Sequence, residues 1–171
     1  MRSLFKLVIT MEVVLAALTG PVLADTFIVA KTTPYAGKIS TPAEKLSECQ
    51  LDTRLPEYIE SAAEPGLDVI ISDETLDGGT GKVLVLEIVR VDERAGGIGF
   101  KRPARVAVRG ELTEYGQLIG SFIGMRHTLK TAIFDGFKGT CASLGRSLEM
   151  LSRDIATWLG NPAIDAKLGD L

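Results

Sequence analysis

The chain has 171 residues, 46% hydrophobic and 24% charged, with a formal net charge of −3. That length predicts one domain with a core of its own. The acidic balance excludes general nucleic-acid binding, which needs a basic surface.

The amino terminus has the layout of a secretory signal peptide. Arg2 and Lys6 make a short basic region, and Leu7 to Leu18 is apolar apart from Thr10 and Glu12. Gly20-Pro21 then breaks any helix, and Val22-Leu23-Ala24 offers small residues before Asp25. The reading is cleavage after Ala24, giving a periplasmic or secreted protein; an uncleaved amino-terminal anchor is the competing reading. The apolar core is too short to span a bilayer, and no later run is long and apolar enough, so no transmembrane span is expected in the mature chain. Losing Arg2, Lys6 and Glu12 with residues 1–24 takes the net charge from −3 to −4.

Residues 25–43 read as an extended arm, although Thr26 to Val29 is β-prone. The domain proper is expected over 44–162. Thr41-Pro42-Ala43-Glu44 fits a capping box with proline at the first helical position. Leu51, Leu55 and Ile59 recur at helical spacing, which predicts a helix over about 50–64, ended by Pro65-Gly66. Leu67 to Ser72 is a strand. An acidic, Gly-rich turn from Asp73 to Gly81 leads into Lys82 to Asp92, the strand around which the chain is organised. Six of its first eight residues are Val, Leu or Ile, a composition that favours a pleated strand over a helix. Val83, Val85, Val89 and Val91 take one side and Leu84, Leu86 and Ile88 the other, which predicts cover on both faces. A flexible Gly-rich link follows, then a strand at Arg105 to Leu112. Glu114-Tyr115-Gly116-Gln117 is a hairpin turn, and Leu118 to Arg126 returns as a strand in which Gly120 and Gly124 mark bulges or close backbone approach. Last comes the clearest helix, in which Cys141, Leu144, Leu148, Leu151, Ile155 and Trp158 form one apolar stripe. Residues 163–171 read as a frayed tail. The expected fold is α+β, an antiparallel sheet of about four strands with two helices packed on one face.

The motifs that carry chemistry are few. Gly78-Gly79-Thr80-Gly81-Lys82 looks like a phosphate-binding loop, but Leu76 and Val83 stand where the motif needs Gly and Ser or Thr. Asp73, Asp77 and Gly78 look like the start of a calcium loop, but Leu84 stands at its twelfth position. Neither cysteine has the Cys-x-x-Cys or His neighbour of a metal site. No cofactor motif remains. His127 is the single imidazole, and its neighbours Arg126 and Thr128 give it no orienting carboxylate, so a structural role is favoured over catalysis. Glu57, Glu60 and Glu64 read as the exposed side of a helix. Two anion-contacting candidates stand beside a solvated-surface reading: the basic cluster Arg94, Lys101, Arg102, Arg105 and Arg109, and Lys138-Gly139-Thr140 at the start of the last helix. In an exported chain, two cysteines at the starts of the two helices on one sheet face are expected to form a disulfide, Cys49–Cys141. Two buried thiols are the alternative.

Three stretches, Val106 to Phe122, Gly136 to Arg146 and Asp154 to Leu159, resemble a family of exported bacterial proteins of unknown function. More loosely, the layout is similar to periplasmic α/β domains related to outer-membrane secretion lipoproteins. The resemblance covers about residues 44–162. It implies export and the fold, and it brings no catalytic residues with it. Lipid-anchored members carry a Cys near the amino terminus, where this chain has none. Two functions follow as expectations. One is a non-enzymatic accessory protein of the cell envelope, contacting an envelope protein or an anionic envelope component. The other is a small periplasmic hydrolase or ligand-binding protein.

Overall fold

The structure, a computed structural model, describes residues 25–37, 39–73, 81–92, 103–128 and 139–171, together with the backbone of two short strands at 96–97 and 100–101. In chain order the elements are β1 (Asp25–Ala30), α1 (Ala43–Cys49), α2 (Leu51–Ala62), β2 (Leu67–Ser72), β3 (Lys82–Asp92), β4 (Gly96–Gly97), β5 (Phe100–Lys101), β6 (Ala104–Glu114), β7 (Gln117–Thr128), α3 (Thr140–Leu159) and β8 (Ala166–Gly169). Residues 1–24, the expected signal peptide, lie outside the described residues.

Six strands form one mixed sheet in the order β2-β1-β3-β6-β7-β8. This corrects the expected antiparallel sheet of about four strands. The antiparallel part is β3, β6 and β7. To it the chain adds parallel pairs at both ends, β1 with β2 and β3, and β8 with β7. Parallel neighbours need long crossovers, and the helices supply them: α1 and α2 return the chain from β1 to β2, and α3 returns it from β7 to β8. The tail is not frayed, because β8 pairs with Phe122 to Met125 and Asp170 N–H donates to the Met125 carbonyl at 2.8 Å.

The residues after β1 are tied down as well. Ile88 N–H bonds the Pro34 carbonyl and Ala36 N–H bonds the Ile88 carbonyl, both at 2.9 Å, so this segment runs along β3 beyond the end of β1. Thr41 does not cap α1. Its hydroxyl donates to the Val91 carbonyl at 2.7 Å, and α1 has no side-chain cap. Gln50, in the left-handed region at φ 50°, turns the chain between α1 and α2.

All the described helices lie on one face. The core joins Phe27 and Val29, Leu84, Leu86 and Ile88, and the even-numbered side of β6 to Leu55 and Ile59 of α2 and the α3 stripe. Leu144, Leu148, Leu151 and Ile155 are all buried, as their spacing predicts. Glycines let α3 approach β7: a Cβ on Gly120 would lie 2.7 Å from Trp158, and one on Gly124 would lie 2.7 Å from Leu151. The Tyr115-Gly116 turn has both central residues at positive φ, 49° and 76°, as a two-residue hairpin with right-handed twist requires.

The cover expected on both faces of β3 is complete on the helix side and partial on the other, where Val83 is buried. Val85, on the side away from the helices, is 49% exposed. A bulge between Ile88 and Arg90 also shifts the alternation, so Val91 enters the core and leaves the face it shares with Val85 in a regular strand. Since β1 and β7 run in the same direction and cross to opposite sides over one shared face, the two crossovers have opposite hands. One of them departs from the right-handed rule for parallel connections.

Candidate functional site

Two places on the described surface combine polar chemistry with a defined geometry. The first is the face of the sheet that no described helix covers. Register sets its side chains in rows: Ile70, Ile28, Val83 and Thr113 across four strands, then Val85 beside Glu111, then Glu87, Arg109 and Ile123. Val85, Ile70 (47%) and Ile123 (36%) are exposed. Arg109 donates to the Glu87 carboxylate, and Pro34, Val85, Glu87, Arg109 and Glu111 surround a shallow cavity of about 260 Å³. The row is apolar at one end and carries paired opposite charges at the other.

The second place is the end of β7. Arg126 reaches Asp154 of α3 with two nitrogens, at 2.7 and 2.9 Å, and Asp170 with a third contact at 2.9 Å. Asp170 in turn accepts the backbone N–H of His127 at 3.0 Å and lies 2.7 Å from its Nδ1. Partial burial pushes the Asp170 carboxyl up, but the His127 N–H, the imidazole charge and the Arg126 guanidinium outweigh it and hold the carboxyl below its ordinary value. The Asp154 hydrogen bond above all raises the Arg126 guanidinium.

His127 therefore has the orienting carboxylate that its sequence neighbours do not supply. Asp170 lies 43 positions away in a tail without periodicity, so no local spacing could have revealed the pair. No nucleophile is brought to the imidazole among the described residues. The nearest hydroxyl in sequence, Thr128, points to the other side of the strand, where it is 2.7 Å from Ser147, a buried residue that also contacts the Ala104 carbonyl.

The other expected site residues are dispersed. Cys49 and Cys141 are joined in a disulfide, with Cα atoms 4.9 Å apart, so the sequence-based pairing holds. Arg105 lies opposite Asp92 and His127 on neighbouring strands. With Arg109 paired to Glu87 and Arg90 to Asp92, the described part of the basic cluster is interleaved with acids. Arg94 and Arg102 lie outside the described residues, and only the backbone of Lys101 is described. Gly139 is the exposed N-cap of α3 and Thr140 its first residue, while Lys138 lies outside the described residues. So do Gly78, Gly79 and Thr80 of the loop that looks phosphate-binding. Among the described residues no group of His, Cys, Asp and Glu could hold a metal, and no helix is long and apolar enough to cross a membrane.

A further cavity, of about 390 Å³, opens at the turn between α1 and α2, lined by Tyr35, Leu46, Ser47, Gln50 and Asp52 among others. Burial pushes the Tyr35 phenol up to about 12, helped by the Asp52 charge and opposed by the N–H groups of Asp52 and Leu51.

No family model matches the chain. No curated protein matches it either. Among solved structures, it is similar to a hypothetical protein from Chlamydia trachomatis, at 12% identity and a TM-score of 0.54 over 80% of this chain and 96% of that one. It is similar to a Xanthomonas campestris protein of family DUF330, at 14% identity and a TM-score of 0.50 over 83% and 87% of the two chains. The PelC dodecamer subunit from Paraburkholderia phytofirmans aligns at 15% identity and a TM-score of 0.47 over 76% and 87%. At these identities the likeness is one of fold.

Proposed function

We propose that the chain is exported, loses residues 1–24 after Ala24, and acts in the cell envelope as a non-enzymatic accessory protein that offers the uncovered face of its sheet to a partner. The observation that carries this reading is Val85, a large apolar side chain half exposed in an inner strand and accompanied by Ile70 and Ile123 on the same face. Exposed apolar side chains gathered on one face mark interaction surfaces more often than scattered ones do. The disulfide supports export, because such bonds persist in oxidising compartments. Pairing of Arg109 with Glu87 leaves this face little net charge, which favours an envelope protein over an anionic polymer as the partner. The test is co-purification of native and Val85→Asp protein from the cell envelope. Loss of a defined companion in the variant supports the reading, and identical companions overturn it. Amino-terminal sequencing of the same material is expected to begin at Asp25; Met1 would overturn the export step.

A second reading, a small hydrolase or ligand-binding protein, is favoured by one observation, the 2.7 Å contact of His127 Nδ1 with Asp170, which fixes an imidazole as a base-orienting carboxylate does. His127→Ala is expected to leave any measured turnover unchanged under the accessory reading. Loss of turnover in a folded variant would establish the second.

A further inference from the structure

The sheet ends on two strands that match each other. β3 is parallel to β1, β6 is antiparallel to β3, and β7 is antiparallel to β6, so the end strands β2 and β8 run in the same direction. A second copy placed beside the first in the same orientation would lay its β2 along the outer edge of β8 as a parallel pair.

Backbone polarity allows this. The Gly66 and Ser72 carbonyls accept the N–H groups of Asp25 and Lys31, so the even-numbered residues of β2 face β1 and the odd-numbered ones face outward. Asp170 N–H bonds the Met125 carbonyl, so Ala166 and Leu168 face β7 and Lys167 faces outward. In a parallel pair, an outward-facing residue sits opposite one that faces away from it and bonds the two on either side. Lys167 must therefore lie opposite Asp68 or Ile70. Opposite Asp68, its N–H and C=O meet the Leu67 carbonyl and the Val69 N–H. Both side chains are exposed on the uncovered face and opposite in charge. The same register sets Ala166 beside Leu67 and Leu168 beside Val69 on the helix face, apolar against apolar. The Ile70 register would leave the ammonium over an isoleucine.

We propose that copies of this chain associate head to tail through these edges, with Lys167 of one against Asp68 of the next. Such a contact joins two different surfaces, so it propagates into a ring or an open chain. It keeps every helix layer on one side of the assembly and every uncovered sheet face on the other. The uncovered face stays available, so this inference does not rest on the proposed envelope role.

Light scattering of the purified mature protein over a concentration series tests it. Self-association is expected. Lys167→Glu and Asp68→Lys are each expected to weaken it about tenfold or more, since like charges placed together at an interface are costly. The double variant is expected to restore it, because the pair is merely reversed. Thermal melts confirm that each variant is folded. A monomer at all concentrations overturns the proposal and leaves the envelope role standing. Association that ignores both single reversals, or that the double variant fails to restore, overturns it too. So does loss of association in Val85→Asp, which would place the contact on the sheet face.

Discussion

The molecule contains the same supersecondary unit twice, and the two are held by different forces. At the amino end, β1 and β2 pair over six residues, and the crossover between them is broken into α1 and α2 by the left-handed Gln50. Its ties are mainly backbone and hydroxyl hydrogen bonds: Pro34 and Ala36 to Ile88, Thr41 to Val91, and Thr33 N–H to the Asp52 carbonyl at 3.0 Å. Two separate ion pairs join them, Lys31–Asp73 and Lys82–Asp25, each with an exposed partner. At the carboxy end the helix of the crossover, α3, is unbroken over 20 residues, and β8 is only four residues long. A strand that short contributes few ladder bonds. Charge makes up the difference, through Arg126, Asp154, Asp170 and His127. The comparison teaches that one architectural unit can be fixed either by length of pairing or by a compact ionic clasp. The two ends should therefore fail under different conditions.

The largest effect is expected in α3, whose buried stripe packs on β6, β7 and β8 and against α2. Leu148→Asp places a charge in the core and is expected to destabilise by several kcal/mol, enough to unfold a marginal domain. The readout is a thermal melt. Loss confined to β8, with the rest of the sheet intact, would show that the two ends are independent units.

Next comes the disulfide, the one covalent link between the amino-end crossover and α3. It closes a loop with a sequence separation of 92, for which chain entropy gives about 4–5 kcal/mol. The Cys49→Ala, Cys141→Ala variant is expected to lose most of that in denaturant titration, and mass spectrometry of the unreduced protein is expected to find no alkylatable thiol.

Gly124→Ala tests the close approach of α3 to β7. Its new methyl would meet Leu151, and overpacking of this kind costs about 1–3 kcal/mol.

The clasp itself gives a smaller, pH-dependent effect. The Asp170 carboxyl is held below its ordinary value, so its stabilisation is fully present above the ordinary carboxylate range. That stabilisation is lost as pH falls through the depressed native value. Protection factors from hydrogen exchange are expected to drop first in residues 166–170 on acidification, while β1 and β2 hold. Asp170→Asn, at a cost of about 1–2 kcal/mol, should flatten that dependence; a simultaneous loss at both ends would erase the contrast. Smallest of all, Glu149→Ala removes an exposed i,i+4 pair with Arg153 and is expected to change stability by under about 0.5 kcal/mol.

How far the sequence could be read follows from the same contrast. Elements with strong internal period were legible: the α3 stripe, the Val- and Leu-rich β3 and the Tyr115-Gly116 turn. The cysteine pairing was legible too, although Cys49 closes α1 instead of opening a helix. What stayed hidden depends on pairing between distant segments. β8 has four residues and no alternation strong enough to mark it, and it exists because β7 offers an edge and Asp170 finds Arg126. The parallel placement of β1 between β2 and β3 leaves no local trace either. Val91 was assigned to the wrong face because a single bulge, invisible in the pattern of valines, resets the alternation. At the site level, His127 looked isolated because its carboxylate arrives from the far end of the chain.

The cysteine link also has a consequence in time. Cys49 and Cys141 are separated in the chain by β2, β3, β6 and β7. During synthesis, and during the proposed export, Cys49 must therefore wait, unpaired, until nearly the whole sheet has followed it. Its sulfur is sheltered only once α1 meets α3; before that, under the proposed export, it is an exposed thiol open to capture by any other nascent copy. Refolding yield of the reduced chain should accordingly fall with protein concentration, and the lost material should be recoverable with a thiol–disulfide shuffling buffer.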